Sequence, residues 1–165
     1  MNNYEKNCAY IDGANLHKGI HSLGWKLDYL RFRVWLKEKY CVDHAYIFIG
    51  FIEGNQSLYA FLRNVGFILV FKKTFTDRYG LVKGNCDADL VLRTVVDFYE
   101  NTYYKAIIFS SDGDYNSLIK FLLLKGRLKV LLSPYKRCSM LLRETNAPIV
   151  YLYNKKFELE YQCSK

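Results

Sequence analysis

Lys105-Ala106-Ile107-Ile108-Phe109-Ser110-Ser111-Asp112-Gly113-Asp114-Tyr115 is the stretch on which the fold turns. Its first half is an unbroken apolar run, the pattern of a strand buried on both faces. Its second half is an acidic turn that opens a helix-period segment. Strands covered on both faces belong to parallel sheets, whose members are joined by helical crossovers.

Outward from this stretch the same alternation repeats. Strands are expected at residues 8–11, 44–52, 67–71, 105–109, 128–132 and 149–153, with helices at 27–39, 56–65, 87–99 and 115–124. The first of these helices should bury Leu27, Leu30, Val34 and Leu36 and expose Arg31, Arg33, Lys37 and Lys39. In the helix at 87–99, Leu90, Val91, Val95 and Phe98 are available to the core. Gly66 and Gly126 stop helices and Pro134 stops a strand. The expected class is α/β: a three-layer α/β/α fold with a mostly parallel central sheet of five or six strands and right-handed crossovers. The 165 residues form a single domain, 1–165, without repeats or low-complexity tracts.

In open sheets of this kind ligands bind beyond the carboxyl ends of the strands. Asp12, in Tyr10-Ile11-Asp12-Gly13-Ala14-Asn15, and Asp112 both stand at such ends. Asp87, in Lys83-Gly84-Asn85-Cys86-Asp87-Ala88-Asp89, opens the helix that leads into the fourth strand. Singly, each segment reads as an ordinary turn or helix cap. With the first and fourth strands as neighbours, all three converge on one cleft.

The chain carries 24 Lys and Arg against 16 Asp and Glu, a formal charge of +8, so gathered carboxylates call for a cation. Two like charges about 4 Å apart repel by roughly 1 kcal/mol in water and several times that when partly desolvated. Oxygen ligands suit Mg2+ or Mn2+, and no cluster of Cys or His suits zinc. His17 and His21 stand four apart, a spacing that one helix face could share, but they lack a third ligand and read as ordinary surface or core residues, and His44 stands alone. The five cysteines are scattered without a C-x-x-C pair and read as reduced thiols, Cys86 beside Asp87 included.

The three acidic segments, in this order and spacing, resemble the NYN branch of the PIN-like nuclease superfamily, also called the LabA-like or DUF88 group. Asp12 to Asn15, Lys83 to Asp87 and Ser110 to Tyr115 carry the resemblance, which covers most of the chain. It implies a PIN-like fold and a magnesium-dependent acidic site that cuts RNA or, less often, DNA. Asp12, Asp87, Asp112 and Asp114 would be the metal-binding acids. Asn15 would orient Asp12 or a water, Ser110 would brace the carboxylates, and Asp89 would stand as an outer ligand. Arg93 departs from the expected pattern, and an ion pair with Asp89 one turn away accounts for it.

The expected chemistry is metal-assisted hydrolysis of a phosphodiester bond, most readily by an endoribonuclease acting on single-stranded or structured RNA. Neither a Ser-His-Asp nor a Cys-His arrangement is present, nor a G-x-x-x-x-G-K-[ST] or G-x-G-x-x-G loop. Two basic segments with aromatic rings should border the cleft and hold nucleic acid: Lys72, Lys73, Arg78, Tyr79 and Lys83 after the third strand, and Tyr135, Lys136 and Arg137 after the fifth. Competing expectations are a catalytically silent nucleic-acid-binding module, a phosphatase or phosphotransferase with a strand-end Asp nucleophile, and a receiver-type phosphorylation domain. The last two fit poorly, because Asp12-Gly13-Ala14-Asn15 lacks an acid two residues on and the third strand ends Phe71-Lys72-Lys73. The polar opening 1–7 and the lack of a long apolar run lead to the expectation of a cytoplasmic protein with no membrane partner. The sixth strand, with Tyr151 and Tyr153, offers an edge either to another copy in a homo-oligomer or to a helix at 155–161.

Overall fold

The computed structural model describes residues 6–72, 75–76, 78, 82–83 and 86–162. Its centre is β1 (Asn7–Asp12), an all-buried strand flanked by β2 (Val42–Gly50) and β6 (Ala106–Phe109). Outside these lie β3 (Ile68–Lys72) beyond β2, and β7 (Leu128–Ser133) then β8 (Ile149–Tyr151) beyond β6. The six-stranded order is β3-β2-β1-β6-β7-β8, every pair parallel. Strand order reverses between β1 and β6, the crevice position of a doubly wound sheet.

Side chains of β1 alternate between two cores, as the two-residue period of a strand requires. Ala9 and Ile11 join Phe32, Leu36 and Tyr40 of α2 (Tyr29–Tyr40), Leu62 of α3 (Gln56–Val65) and Leu159 of α7 (Lys156–Leu159). Cys8 and Tyr10 face Leu90 of α4 (Asp87–Tyr99), Leu118, Ile119 and Leu122 of α5 (Asn116–Leu124), and Leu142 of α6 (Met140–Arg143). These are the three layers expected.

Several details differ from the sequence expectation. The buried stripe of α2 is Phe32, Leu36 and Tyr40, whereas Leu30 and Val34 are exposed. Aromatic rings at i and i+8, with Leu36 between them, took the core position that Leu30 and Val34 were expected to share. Asp12 begins an unanticipated helix, α1 (Gly13–Ser22), whose two glycines and two histidines mask its apolar period. A short antiparallel pair, β4 (Phe75–Thr76) with β5 (Val82–Lys83), lies within the basic segment after β3. A 3-10 turn, Gly113–Tyr115, precedes α5, and another, Leu152–Lys155, shortens both β8 and the C-terminal helix. That helix packs on α2, with the Asp28 N–H donating to the Leu159 carbonyl at 2.9 Å.

α1 runs across the carboxyl edge of the sheet. Gly13 lies against the Phe48 carbonyl at the end of β2, and a side chain at Gly19 would collide with the Pro134 ring beyond β7. Among the described residues no helix is long and apolar enough to cross a membrane.

Arg93 does not pair with Asp89. Its Nε lies 2.9 Å from the Asp97 carboxylate, and its Nη2 donates to the Tyr46 hydroxyl at 3.2 Å. Asp97 is 1% exposed and also accepts the Tyr10 hydroxyl at 2.7 Å. A buried carboxylate needs such donors, and hydrogen bonds to charged groups contribute about 1.5–3 kcal/mol each. Tyr10→Phe keeps the ring and removes the donor. We expect it to lower the urea midpoint by an amount equivalent to about 1.5–3 kcal/mol with an unchanged slope; an unchanged midpoint would show that Arg93 alone satisfies Asp97.

Candidate metal centre

Parallel pairing of β1 with β6 sets Ile11 beside Phe109, so both chains leave the sheet at the same level. Asp12 then caps α1, its Oδ1 accepting the Asn15 N–H at 3.0 Å. Asp112 caps the 3-10 turn in the same way, accepting the Asp114 N–H at 3.1 Å. Both Asp-Gly pairs are helix starts rather than free turns. A Cβ at Gly13 would stand 2.6 Å from the Phe48 carbonyl oxygen, and one at Gly113 would stand 2.6 Å from Ser139 Oγ, so each glycine permits a close approach.

Carboxylate oxygens of Asp87, Asp112 and Asp114 all lie within 4.8 Å of one another. At that spacing each like-charge pair costs between about 1 kcal/mol in water and about 3 kcal/mol in a partly desolvated cleft. The donors are all oxygens from half-buried or exposed carboxylates, a set that fits a hard divalent cation.

Asp12 stands behind this trio, outside the group of three at ligand spacing. It is buried, and its Oδ2 accepts the Ser110 hydroxyl at 3.3 Å and the Tyr115 hydroxyl at 3.4 Å. Tyr115 also donates to Asp87 Oδ1 at 2.6 Å, joining the buried acid to the cluster. Burial raises the Asp12 pKa, the Asn15 N–H lowers it, and the Asp87 charge raises it again. Burial also raises that of the Tyr115 hydroxyl, reinforced by Asp12 and Asp87, so it stays protonated. Tyr115 was not singled out from sequence, although it closes the Ser110-to-Tyr115 segment.

Ser110 Oγ also accepts the Asp112 N–H at 3.1 Å and so touches two of the acids. Asn15 turns its side-chain oxygen to the Ser111 N–H at 3.0 Å, tying α1 to the β6 loop. Ser111 in turn meets Ser133 at the end of β7, Oγ to Oγ at 2.8 Å. Asp89 lies outside the group of three and pairs with Lys72 Nζ at 3.0 Å. The Cys86 thiol is pushed up to about 11, first by burial and then by Asp89, and stays protonated at neutral pH.

Of the expected basic rim, Lys73 and Tyr79 lie outside the described residues, and Lys83 is described in its backbone only. Arg78 is exposed in the turn between β4 and β5. On the other side, Tyr135, Lys136 and Arg137 line a cavity of about 550 Å3 with Ser22, Leu23, Pro134 and Tyr153. Lys136 Nζ lies 4.3 Å from the Tyr153 ring centre. The cavity follows Ser133, whose contact with Ser111 sets it beside the Asp112 loop, and burial raises the Tyr135 hydroxyl pKa, with the charge of Asp12 adding to it.

Comparison with curated proteins finds no match. Among solved structures the chain is similar to a protein of unknown function from Vibrio parahaemolyticus, with a TM-score of 0.76 over 92% of this chain and 95% of that one. At 20% identity that likeness carries the three-layer fold alone. Residues 7–150, from the first strand into the last, match the NYN domain, and the chain therefore belongs to this family of PIN-like nucleases.

Proposed function

We propose that the chain is a divalent-metal-dependent nuclease that hydrolyses phosphodiester bonds, with RNA as its substrate and Mg2+ or Mn2+ as its ion. The observation that carries this reading is the gathering of Asp87, Asp112 and Asp114 oxygens within 4.8 Å, backed by buried Asp12. When bound, a divalent cation supplies Lewis-acid chemistry: it acidifies water and neutralises charge on phosphate oxygens.

The protein's own groups have separable tasks. Asp87, Asp112 and Asp114 are the candidate ligands. Tyr115, by donating to Asp87 Oδ1, orients that carboxylate toward the other two. Ser110 holds Asp12 and the Asp112 backbone in register. Lys136 and Arg137 supply cations for the phosphates of the strand, giving an affinity that falls with salt. Lys72, held by Asp89, contributes less charge to the rim than its sequence position suggests.

Labelled single-stranded RNA, duplex RNA and single-stranded DNA, incubated with Mg2+, Mn2+ or chelator, test the reading. Cutting is expected with metal and RNA and is abolished by chelator. Ser110→Ala should lower the rate by roughly 10- to 100-fold, the usual effect of losing a group that orients a ligand, and Asp112→Asn should lower it further. Salt-sensitive binding without products, or variants that cut like the parent, would contradict the reading.

Asp12 yields a prediction of opposite sign for stability. Its pKa is raised in the folded state, so its stabilising contribution is fully present below the unfolded value and is lost as pH rises through the folded one. In chelator at neutral pH, Asp12→Asn should therefore melt no lower than the parent while losing activity. A gain of 1 kcal/mol corresponds to about 2–4 °C for a domain of this size. The advantage should shrink as pH falls through the raised pKa; a lower melting temperature for Asp12→Asn at neutral pH would contradict the charge-burial account.

A further inference from the structure

The turn that ends α1 has a cavity on each side. Ser22 and Leu23 line the basic cavity beside the acids, while His21 and Gly24 line a second one of about 800 Å3 between α1, α2 and α3. That volume lies within the range of small-molecule sites, about 300–1,000 Å3. Six of its 13 lining residues carry rings, His17, His21, Trp25, Tyr29, Phe61 and Tyr161, and Ile20, Leu27, Leu30 and Leu58 supply aliphatic wall. His17 and His21 meet edge to face at 4.7 Å, and Tyr29 meets Phe61 likewise at 6.2 Å.

The wall carries one ammonium, Lys26, and one carboxylate, Asp28. Lys26 Nζ stands 4.5 Å from the Tyr161 ring centre. The Asp28 carboxylate is engaged in capping α2, accepting the Leu30 and Arg31 N–H groups at 2.9 and 3.0 Å with Arg31 Nε at 4.0 Å. A ring-rich cavity with a lysine at its rim and its carboxylate already partnered fits a planar heteroaromatic group joined to an anion. The position agrees: His17 lies four residues after Gly13, about 6 Å along the helix that begins at Asp12.

We propose that this cavity receives an unpaired base of the substrate strand, so that the preferred substrate is single-stranded RNA running from the acids past Lys136 and Arg137 to the α1–α2 cavity. The proposal rests on the nuclease reading for what happens at the acids, but not for the binding itself. Aromatic stacking is worth about 1–3 kcal/mol per base and tolerates any sequence, whereas a duplex keeps its bases stacked on one another and out of reach.

Binding is read by anisotropy in chelator, where nothing is cut, using a labelled short single-stranded RNA and a duplex of equal length. Phe61 and Tyr161 are 47% and 48% exposed, so the double variant Phe61→Ala, Tyr161→Ala keeps the core. It should weaken single-strand binding by about 5- to 150-fold, the worth of one stacked base, and leave duplex binding unchanged. Single-strand RNA should also quench tryptophan fluorescence in the parent, and Trp25→Phe should lose most of that quenching. Unchanged single-strand affinity in the double variant, equal losses for single strand and duplex, or quenching that survives Trp25→Phe would each overturn the cavity assignment. A protein that cuts single-stranded RNA while the double variant binds like the parent refutes the cavity alone. Cavity-dependent binding without cutting supports the cavity and overturns the nuclease reading.

Discussion

Parallel pairing of β1 with β6 is the constraint from which the site follows. The register that sets Ile11 beside Phe109 brings Asp12 within hydrogen-bonding distance of Ser110, and the next residues bring Asp112 and Asp114 around Asp87. A slip of one residue would exchange the two faces of β1, sending Ala9 and Ile11 toward α4 and Tyr10 away from Asp97. The register is held by both cores at once, so the placement of the acids is set by packing far from them. Chains diverge here toward β2 and toward β7, leaving the crevice that the acids occupy.

Charge is then arranged by depth. Asp12 is buried behind the trio and held by neutral donors, the hydroxyls of Ser110 and Tyr115 and the Asn15 N–H. Protonated Tyr115 connects the buried acid to Asp87, softening repulsion that would otherwise oppose their approach. The two sides of the cleft differ. Lys72 on the β3 side is tied to Asp89, while Lys136 and Arg137 line the cavity after β7. A polyanion would therefore find its cations, and the rings beyond them, on the side over which α1 crosses.

Most of the layer order was legible in the sequence because most strands are largely apolar, and helix limits were legible where a residue type marked them, as at the Gly66 C-cap and the acidic first turn opened by Asp87. Periodicity missed α1 because Gly13, Gly19, His17 and His21 dilute its apolar face, and the glycines answer to Phe48 and Pro134, contacts invisible in one dimension. The buried face of α2 was misread because Phe32 and Tyr40 outweigh Leu30 and Val34 in filling the space above the sheet. Three acidic segments could be seen to converge. That Asp12 would stand behind the others, that Asp89 would turn to Lys72 and that Tyr115 would join two acids depends on side-chain directions set only when helices and strands meet.

The claim at the centre of this account is that Asp87, Asp112 and Asp114 form a divalent-cation site. Calorimetric titration of Mn2+ into the parent and into the double variant Asp112→Asn, Asp114→Asn measures it without reference to any substrate. Saturable binding by the parent that is lost or strongly weakened in the variant is the predicted result; indistinguishable Mn2+ binding by the two proteins, or none by either, would contradict it.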